Sequence, residues 1–378
     1  MPRLVVLLLF LLCLNSVAAK RDGAAAKRPD DSPRPRAVGP AWRTGIDRPK
    51  DALLLFVKIP KCASSTSGGV VRRIAAMEGL KGATTDLTDE FRNAIRNATQ
   101  QPGSIGDVQV TANHVKMRIL LRMLPSHLTR KVFLFTVVRE PLDRAISEYY
   151  HLKVTRSGAS AEDDDVVAAV MKVPARRLCA YAEARQGTPP QEIHAMFDLV
   201  GTSELFDETA TLLATRLGVP LLDALYVPAK NSSTTNAASV VAQESEFFQR
   251  QTNISSKSPA PTYKLKHATP EQSARVRARA GEAFEARSSD DYAFWRLATT
   301  HVKASVDPVA LRHFRELQAT VAAPCANYAS SFHKAQCLWA DNGCGQQCIA
   351  ENAGRFFKKM ARSSKTRDER AAVARGGP

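Results

Sequence analysis

With 378 residues, 44% of them hydrophobic, the chain holds enough apolar material for one large α/β domain with appendages or for two small domains, which excludes general disorder. Its net charge of +16 suits an anionic ligand, whether nucleotide, nucleic acid, acidic glycan or membrane surface. Much of that charge lies in a segment after the N-terminus and in the C-terminal tail, and there is no zinc-finger spacing or RNA-binding signature, so no nucleic-acid partner is expected.

Met1-Pro2-Arg3 precedes an apolar run from Leu4 to Leu14 and the small residues Ala18 and Ala19. Residues 1–19 have the shape of a signal peptide, with a signal anchor as the alternative. Cleavage is favoured because the run is short of the roughly 20 apolar residues of a bilayer span and because Lys20 and Arg21 follow it. Either way the remainder would enter the secretory lumen. The sequons at Asn97, Asn231 and Asn253 agree with a lumenal glycoprotein. Residues 20–50, rich in Pro, Ala, Arg and Lys without apolar periodicity, read as a flexible basic stem.

The first strand is expected over Ala52–Ile59, ending in the loop Lys58-Ile-Pro-Lys61-Cys62-Ala63-Ser64-Ser65-Thr66-Ser67. A helix follows, with Val70, Val71, Ile74 and Met77 on one face and Gly68 and Gly69 where helix and strand approach closely. Residues 81–105 read as loop-rich. A second strand over 108–112 ends at Asn113-His114, and a helix from Val115 stops at Pro125. The third strand, Val132–Val138, ends in Arg139-Glu140-Pro141, with Leu142, Ala145, Ile146 and Tyr149 at helical spacing beyond it. The acidic run Glu162–Asp165 reads as a solvated loop and Met196–Val200 as a fourth strand leading into a helix closed by Gly218. Residues 228–262 read as an irregular surface segment. Thr269-Pro270-Glu271-Gln272 is a capping-box helix start, and a further helix from near Asp290 carries Tyr292, Trp295 and Val302.

Alternating strands and helices predict an α/β fold: a P-loop-like, mostly parallel sheet flanked by helices, forming a single catalytic domain over 51–315 with a Cys-containing extension and basic tail over 316–378. Ligands of such sheets bind beyond the carboxyl ends of the strands, where Lys61, His114 and Arg139 all fall. Of seven cysteines, Cys325, Cys337, Cys344 and Cys348 cluster near the C-terminus. Two disulfides in any of three pairings are expected there, and a zinc site is the alternative. Cys62 reads as a small loop-filling residue, the alternative being a nucleophile activated by the helix N-terminus.

Strand, loop and helix start present backbone N–H groups to a phosphate, with Lys61 as a point charge and Ser64, Ser65 and Thr66 as donors. A second phosphate element is Arg139 with Ser147, about two helical turns on. For Arg139 the competing reading is an ion pair with Glu140 or Asp143. The glycine pattern of a kinase P-loop is absent, and so is an evident acidic magnesium ligand after a strand. Two phosphate sites without a metal pattern suit a nucleotide bearing 5′ and 3′ phosphates.

At these residues the chain resembles the sulfotransferases that use 3′-phosphoadenylyl sulfate (PAPS). Phe56–Thr66 resembles their 5′-phosphosulfate loop and Val138–Tyr150 their 3′-phosphate motif. The Golgi carbohydrate branch, including galactose 3-O- and uronyl 2-O-sulfotransferases, is the most similar. Asn113-His114-Val-Lys-Met, Gly201-Thr-Ser-Glu-Leu-Phe-Asp-Glu208 and Asp291-Tyr-Ala-Phe-Trp-Arg match it loosely, whereas Ile59-Pro60 replaces the galactose branch's usual Thr-His. The resemblance implies a Golgi-lumen enzyme, membrane-anchored or soluble, that moves a sulfuryl group from PAPS to a glycan hydroxyl without a metal. It implies Lys61 as the electrostatic catalyst and His114 as general base. Lys58, Lys61, Cys62, Ala63, Ser64, Ser65, Thr66, Arg139 and Ser147 would bind the nucleotide. Lys58, Arg144, Lys264, Lys266 and His267 could contact phosphate or an acidic acceptor, with solvated charge as the favoured reading for each. The alternatives are a secreted basic glycan-binding protein without catalysis and a lumenal nucleotide-dependent phosphotransferase.

Overall fold

The computed structural model describes residues 52–80, 82–83, 109–124, 131–155, 157–227, 266–325, 345 and 348–356. The leader, the stem, the three sequons, segment 228–262, Lys264, Cys337, Cys344 and the basic tail lie outside them. Among the described residues no helix is long and apolar enough to cross a membrane.

The centre is β1 (Ala52–Val57), in which Leu53, Leu54, Leu55, Phe56 and Val57 are all buried. Burying such side chains contributes about 1.5–3 kcal/mol each, so this strand can only lie inside a sheet covered on both faces. Five parallel strands run in the order β2 (Gly82–Ala83), β3 (Val110–Asn113), β1, β4 (Lys131–Val138), β5 (Leu199–Thr202). Val57 pairs with Asn113 on one side and Thr136 on the other, and Val138 pairs with Thr202. The strands therefore end at nearly one height.

Alternation along the strands divides the core. Leu54, Phe56, Phe133 and Phe135 face α1 (Ser64–Met77) and residues of the later helices, with the Phe56 and Phe135 rings stacked 4.6 Å apart. Leu53, Leu55, Val57 and Leu134 face the other layer: α2 (Met117–Met123), the short helices α5 (Cys179–Ala182) and α6 (Pro190–Ala195), and Phe294 and Ala298 of α9 (Ser289–Ser305). A third cluster joins α3 (Pro141–Tyr149), α4 (Asp163–Val170) and α8 (Pro270–Arg287). Helices α7 (Phe206–Leu217) and α10 (Pro308–Leu317) complete the first layer. Cys325 and Cys348 form a disulfide, and Cys325, Ile349 and Ala353 share a buried cluster with β1 and α1. The C-terminal residues thus close the main core.

Several expectations are corrected in detail. Met77 is 56% exposed rather than on the buried face. Gly79, at φ 65, ends α1 in a left-handed turn that bonds Leu80 N–H to Ala75 O, and Leu80 takes the inward position instead. The fourth strand lies three residues later than expected, because Pro190 opens α6 and Met196 closes it. The acidic run is not a loop. Asp163, Asp164 and Asp165 form the first turn of α4, favoured by the helix dipole, and Asp163 and Asp164 pair with Arg275 and Arg279. The capping box at Thr269 and Gln272 is present in full.

One close approach fixes how α7 sits on β5. Thr209 Oγ1 accepts from Thr202 N–H at 3.0 Å and lies 3.2 Å from Thr202 O, and a Cβ on Gly201 would fall 2.1 Å from Thr209 Cγ2. Gly201→Ala is expected to cost about 1–3 kcal/mol by overpacking, read as a lower urea midpoint. Gly201→Ala with Thr209→Ser, which removes the clashing methyl, is expected to recover only part of the loss, since the retained Oγ1 at 2.9 Å and Cβ at 3.1 Å still crowd the added methyl.

Candidate active site

The β1–α1 loop holds two non-glycine residues in the left-handed region, Lys61 at φ 66 and Ala63 at φ 52. Such conformations cost about 1–3 kcal/mol each and persist where the surroundings impose them. Their effect is to turn the chain sharply into α1. The helix start has no side-chain cap, since Ala63 occupies the cap position, and no acidic residue in its first turn. Intrahelical bonding begins with Ser67 N–H to Ala63 O at 2.9 Å. The N–H groups of Ser64 and Ser65 precede this first intrahelical bond, at the positive end of the helix dipole. Lys61, Ser65 and Thr66 are half-buried around this point, and Ser64 is buried.

Lys58 and Cys62 are turned inward, each 0% exposed. The Cys62 thiol sits 3.7 Å from Pro60 O, and burial pushes its pKa up to about 12 despite the nearby Arg144 and Arg139 charges. That places Cys62 as a packing residue and removes the activated nucleophile. Arg139 lies near enough for its charge to act on the same thiol, so the two predicted phosphate elements are neighbours.

His114 follows β3 and is exposed, with Nδ1 2.9 Å from Lys58 O. A carbonyl only accepts, so Nδ1 carries the proton and the lone pair resides on Nε2, the tautomer a general base needs.

Arg139 follows β4 and is half-buried. The two carboxylates that could have neutralised it are engaged elsewhere. Arg277 of α8 donates to Glu140 Oε1 at 3.2 Å and Oε2 at 3.0 Å, and to Asp143 Oδ1 at 2.8 Å. Burial would raise the Glu140 pKa. Hydrogen bonds from Arg277, from Tyr292 Oη at 2.5 Å and from Asp143 N–H at 2.6 Å outweigh it and hold the carboxyl below its ordinary value. Among the described residues Arg139 itself makes no side-chain hydrogen bond or ion pair. Ser147 lies two turns down α3 and is half-buried.

Sequence reasoning missed a buried charge network behind these groups. Arg144, 1% exposed, donates to Glu148 at 2.9 Å, which also accepts from Arg177 at 2.9 Å, and one Arg144 nitrogen has no partner. Asp291 accepts the N–H groups of Leu178 and Cys179, each at 2.9 Å, fixing α5 against α9. Arg144 and Glu148 are an i, i+4 pair on one helix, but the Arg177 and Asp291 pairings span 29 and up to 113 residues, and nothing local in the sequence signals those. Lys266 N–H donates to Thr155 Oγ1 at 3.0 Å, beyond the end of α3.

With Cys62 buried and its pKa raised, iodoacetamide at pH 8 is expected to leave it unmodified in the native protein and to modify it after denaturation, read by mass spectrometry.

Residues 45–172 match the sequence model of the Sulfotransferase family. No curated protein gives a significant match to the chain. The matched segment takes in β1, the Lys61 loop, His114, β4 and the Arg139–Ser147 helix. Over that segment the chain is similar to the Sulfotransferase family, and its parallel sheet brings the Lys61 loop and the Arg139 corner to one edge.

Proposed function

We propose that the protein transfers a sulfuryl group from PAPS to a carbohydrate hydroxyl in the secretory pathway. The observation that carries the reading is the pairing of two anion sites on one sheet edge. One is the uncapped start of α1 beside Lys61. The other is Arg139, relieved of its neighbouring carboxylates by Arg277. Two such sites fit a nucleotide phosphorylated at both ends of its ribose. The leader, the sequons and the likeness to the Golgi carbohydrate branch support a lumenal enzyme acting on a glycan.

When bound, the nucleotide supplies an activated sulfuryl group on a phosphate leaving group. Lys61 and the N–H groups of Ser64, Ser65 and Thr66 hold the 5′ phosphate. Lys61 meets the negative charge that builds on the bridging oxygen as the sulfur–oxygen bond breaks. Arg139 and Ser147 hold the 3′ phosphate and set the nucleotide's direction along the edge. His114 Nε2 takes the proton from the acceptor hydroxyl as its oxygen bonds to sulfur, and the Lys58 carbonyl, through Nδ1–H, keeps the ring in that tautomer. The left-handed loop places these donors before the ligand arrives, so little reorganisation is needed.

The unmodified protein is expected to bind adenosine 3′,5′-bisphosphate in calorimetry without added metal. Arg139→Ala should weaken that binding about 10- to 100-fold and leave adenosine 5′-monophosphate nearly unaffected, because it removes a charge-assisted contact to the 3′ phosphate alone. In sulfate transfer from labelled PAPS to a glycan panel, Lys61→Ala should lower kcat about 10²–10³-fold. His114→Ala should lower kcat about 10²–10⁴-fold while bisphosphate affinity is kept. Absence of bisphosphate binding by the unmodified protein would overturn the reading.

A further inference from the structure

Two stretches of the sequence have no part in the transfer as derived above: Gly201–Glu208 and Asp291–Arg296. They lie far apart in the chain, yet both reach Glu140, the residue after Arg139: the first holds its backbone N–H and the second its carboxylate. Ser203 N–H bonds Val138 O at 2.9 Å and carries the β4–β5 pairing past the strand ends to the sheet edge. There Glu204 Oε1 accepts the Glu140 N–H at 2.8 Å, and Glu204 Oε2 accepts from Trp295 Nε1 at 3.4 Å. On the other side of the corner, Tyr292 Oη donates to the Glu140 carboxylate, which Arg277 also grips through both oxygens. Glu140 is 7% exposed, so its carboxylate is fixed in a protein environment rather than in water.

The corner is thus held at both of its polar ends, the N–H by Glu204 and the carboxylate by Tyr292 and Arg277. Arg139, the residue between strand and corner, makes no side-chain hydrogen bond or ion pair among the described residues to orient it. Its direction is inherited from the backbone it is attached to. The latch also removes the negative charge of Glu140 from Arg139 by giving it to other donors, and Glu204 orders the peptide without a covalent or helical constraint.

We propose that Glu204 and Tyr292 are positioning residues for Arg139: they latch the Arg139–Glu140 corner and thereby set the affinity for a 3′ phosphate. The inference rests on the nucleotide reading above. A general stabilising role would lower binding of every nucleotide, whereas a positioning role acts only through Arg139.

Calorimetry with adenosine 3′,5′-bisphosphate and adenosine 5′-monophosphate separates the two. Glu204→Ala and Tyr292→Phe are each expected to weaken the bisphosphate about tenfold, the worth of a hydrogen bond to a charged group, and to leave the monophosphate unchanged. Glu204→Gln, whose amide oxygen can still accept the Glu140 N–H, should restore most of the affinity. In the Arg139→Ala background neither substitution should cost anything further, as the coupling of residues acting through one contact requires. Equal losses for both nucleotides, or an undiminished loss without Arg139, would overturn the proposal. Amide hydrogen exchange at Glu140 tests the latch without nucleotide: Glu204→Ala should accelerate it about tenfold, and unchanged exchange sinks the latch. An unmodified protein that protects this amide but binds neither nucleotide overturns the donor reading and the latch's part in binding together.

Discussion

Parallel pairing of β1 with both β3 and β4 is the constraint on which the site depends. The register sets Val57 beside Asn113 and Thr136, so the loops after three strands emerge at one level. Residues 58 to 63, 114 and 139 come from separate parts of the chain, and no direct bond between their side chains is needed to bring them together. Burial of β1 on both faces keeps this arrangement rigid. Shifting any of these strands by one residue would turn its apolar set to the wrong face, a cost several times larger than any single polar contact at the edge.

On that base the two proposed anion sites are built by different means. At the β1–α1 loop it leaves a helix start uncapped and bends the chain through left-handed conformations at Lys61 and Ala63. Capping that end would be worth about 0.5–2 kcal/mol to stability, and forgoing it leaves oriented N–H groups for a ligand. At the β4–α3 corner the device is charge diversion. Glu140 caps α3 and would neutralise Arg139, but Arg277 and Tyr292 draw its carboxylate away. The depressed Glu140 pKa expresses this. Its stabilisation is present above the ordinary carboxylate range and is lost as pH falls through the lower folded value.

Behind both sites lies the Arg144, Glu148 and Arg177 network, with Asp291 holding α5 nearby. Removing one partner of such a buried set leaves an uncompensated charge, so it ties the motif helix to the helices around it. The C-terminal disulfide serves the opposite layer, where Cys325 and Cys348 draw the last described helix onto the cluster shared by β1 and α1.

Much of this was legible in the residues alone. The unbroken apolar run at 53–57, the Pro and capping signals at 269–272, and the strand ends at Lys61, His114 and Arg139 are local features, and local chemistry determines them. The two proposed anion elements rest on the same kind of local reading, because a loop between strand and helix presents N–H groups at the helix start. What lay beyond the sequence was every choice made by a distant partner. Whether Arg139 would pair with Glu140 depended on Arg277, 137 residues from Glu140. Whether Cys62 would react or pack depended on its complete burial beneath the loop. The acidic run at 163–165 became a helix start because α8 brought Arg275 and Arg279 to it. Periodicity and turn chemistry set the elements and the edge they share, while partner choice, burial and charge balance were decided only when those elements packed.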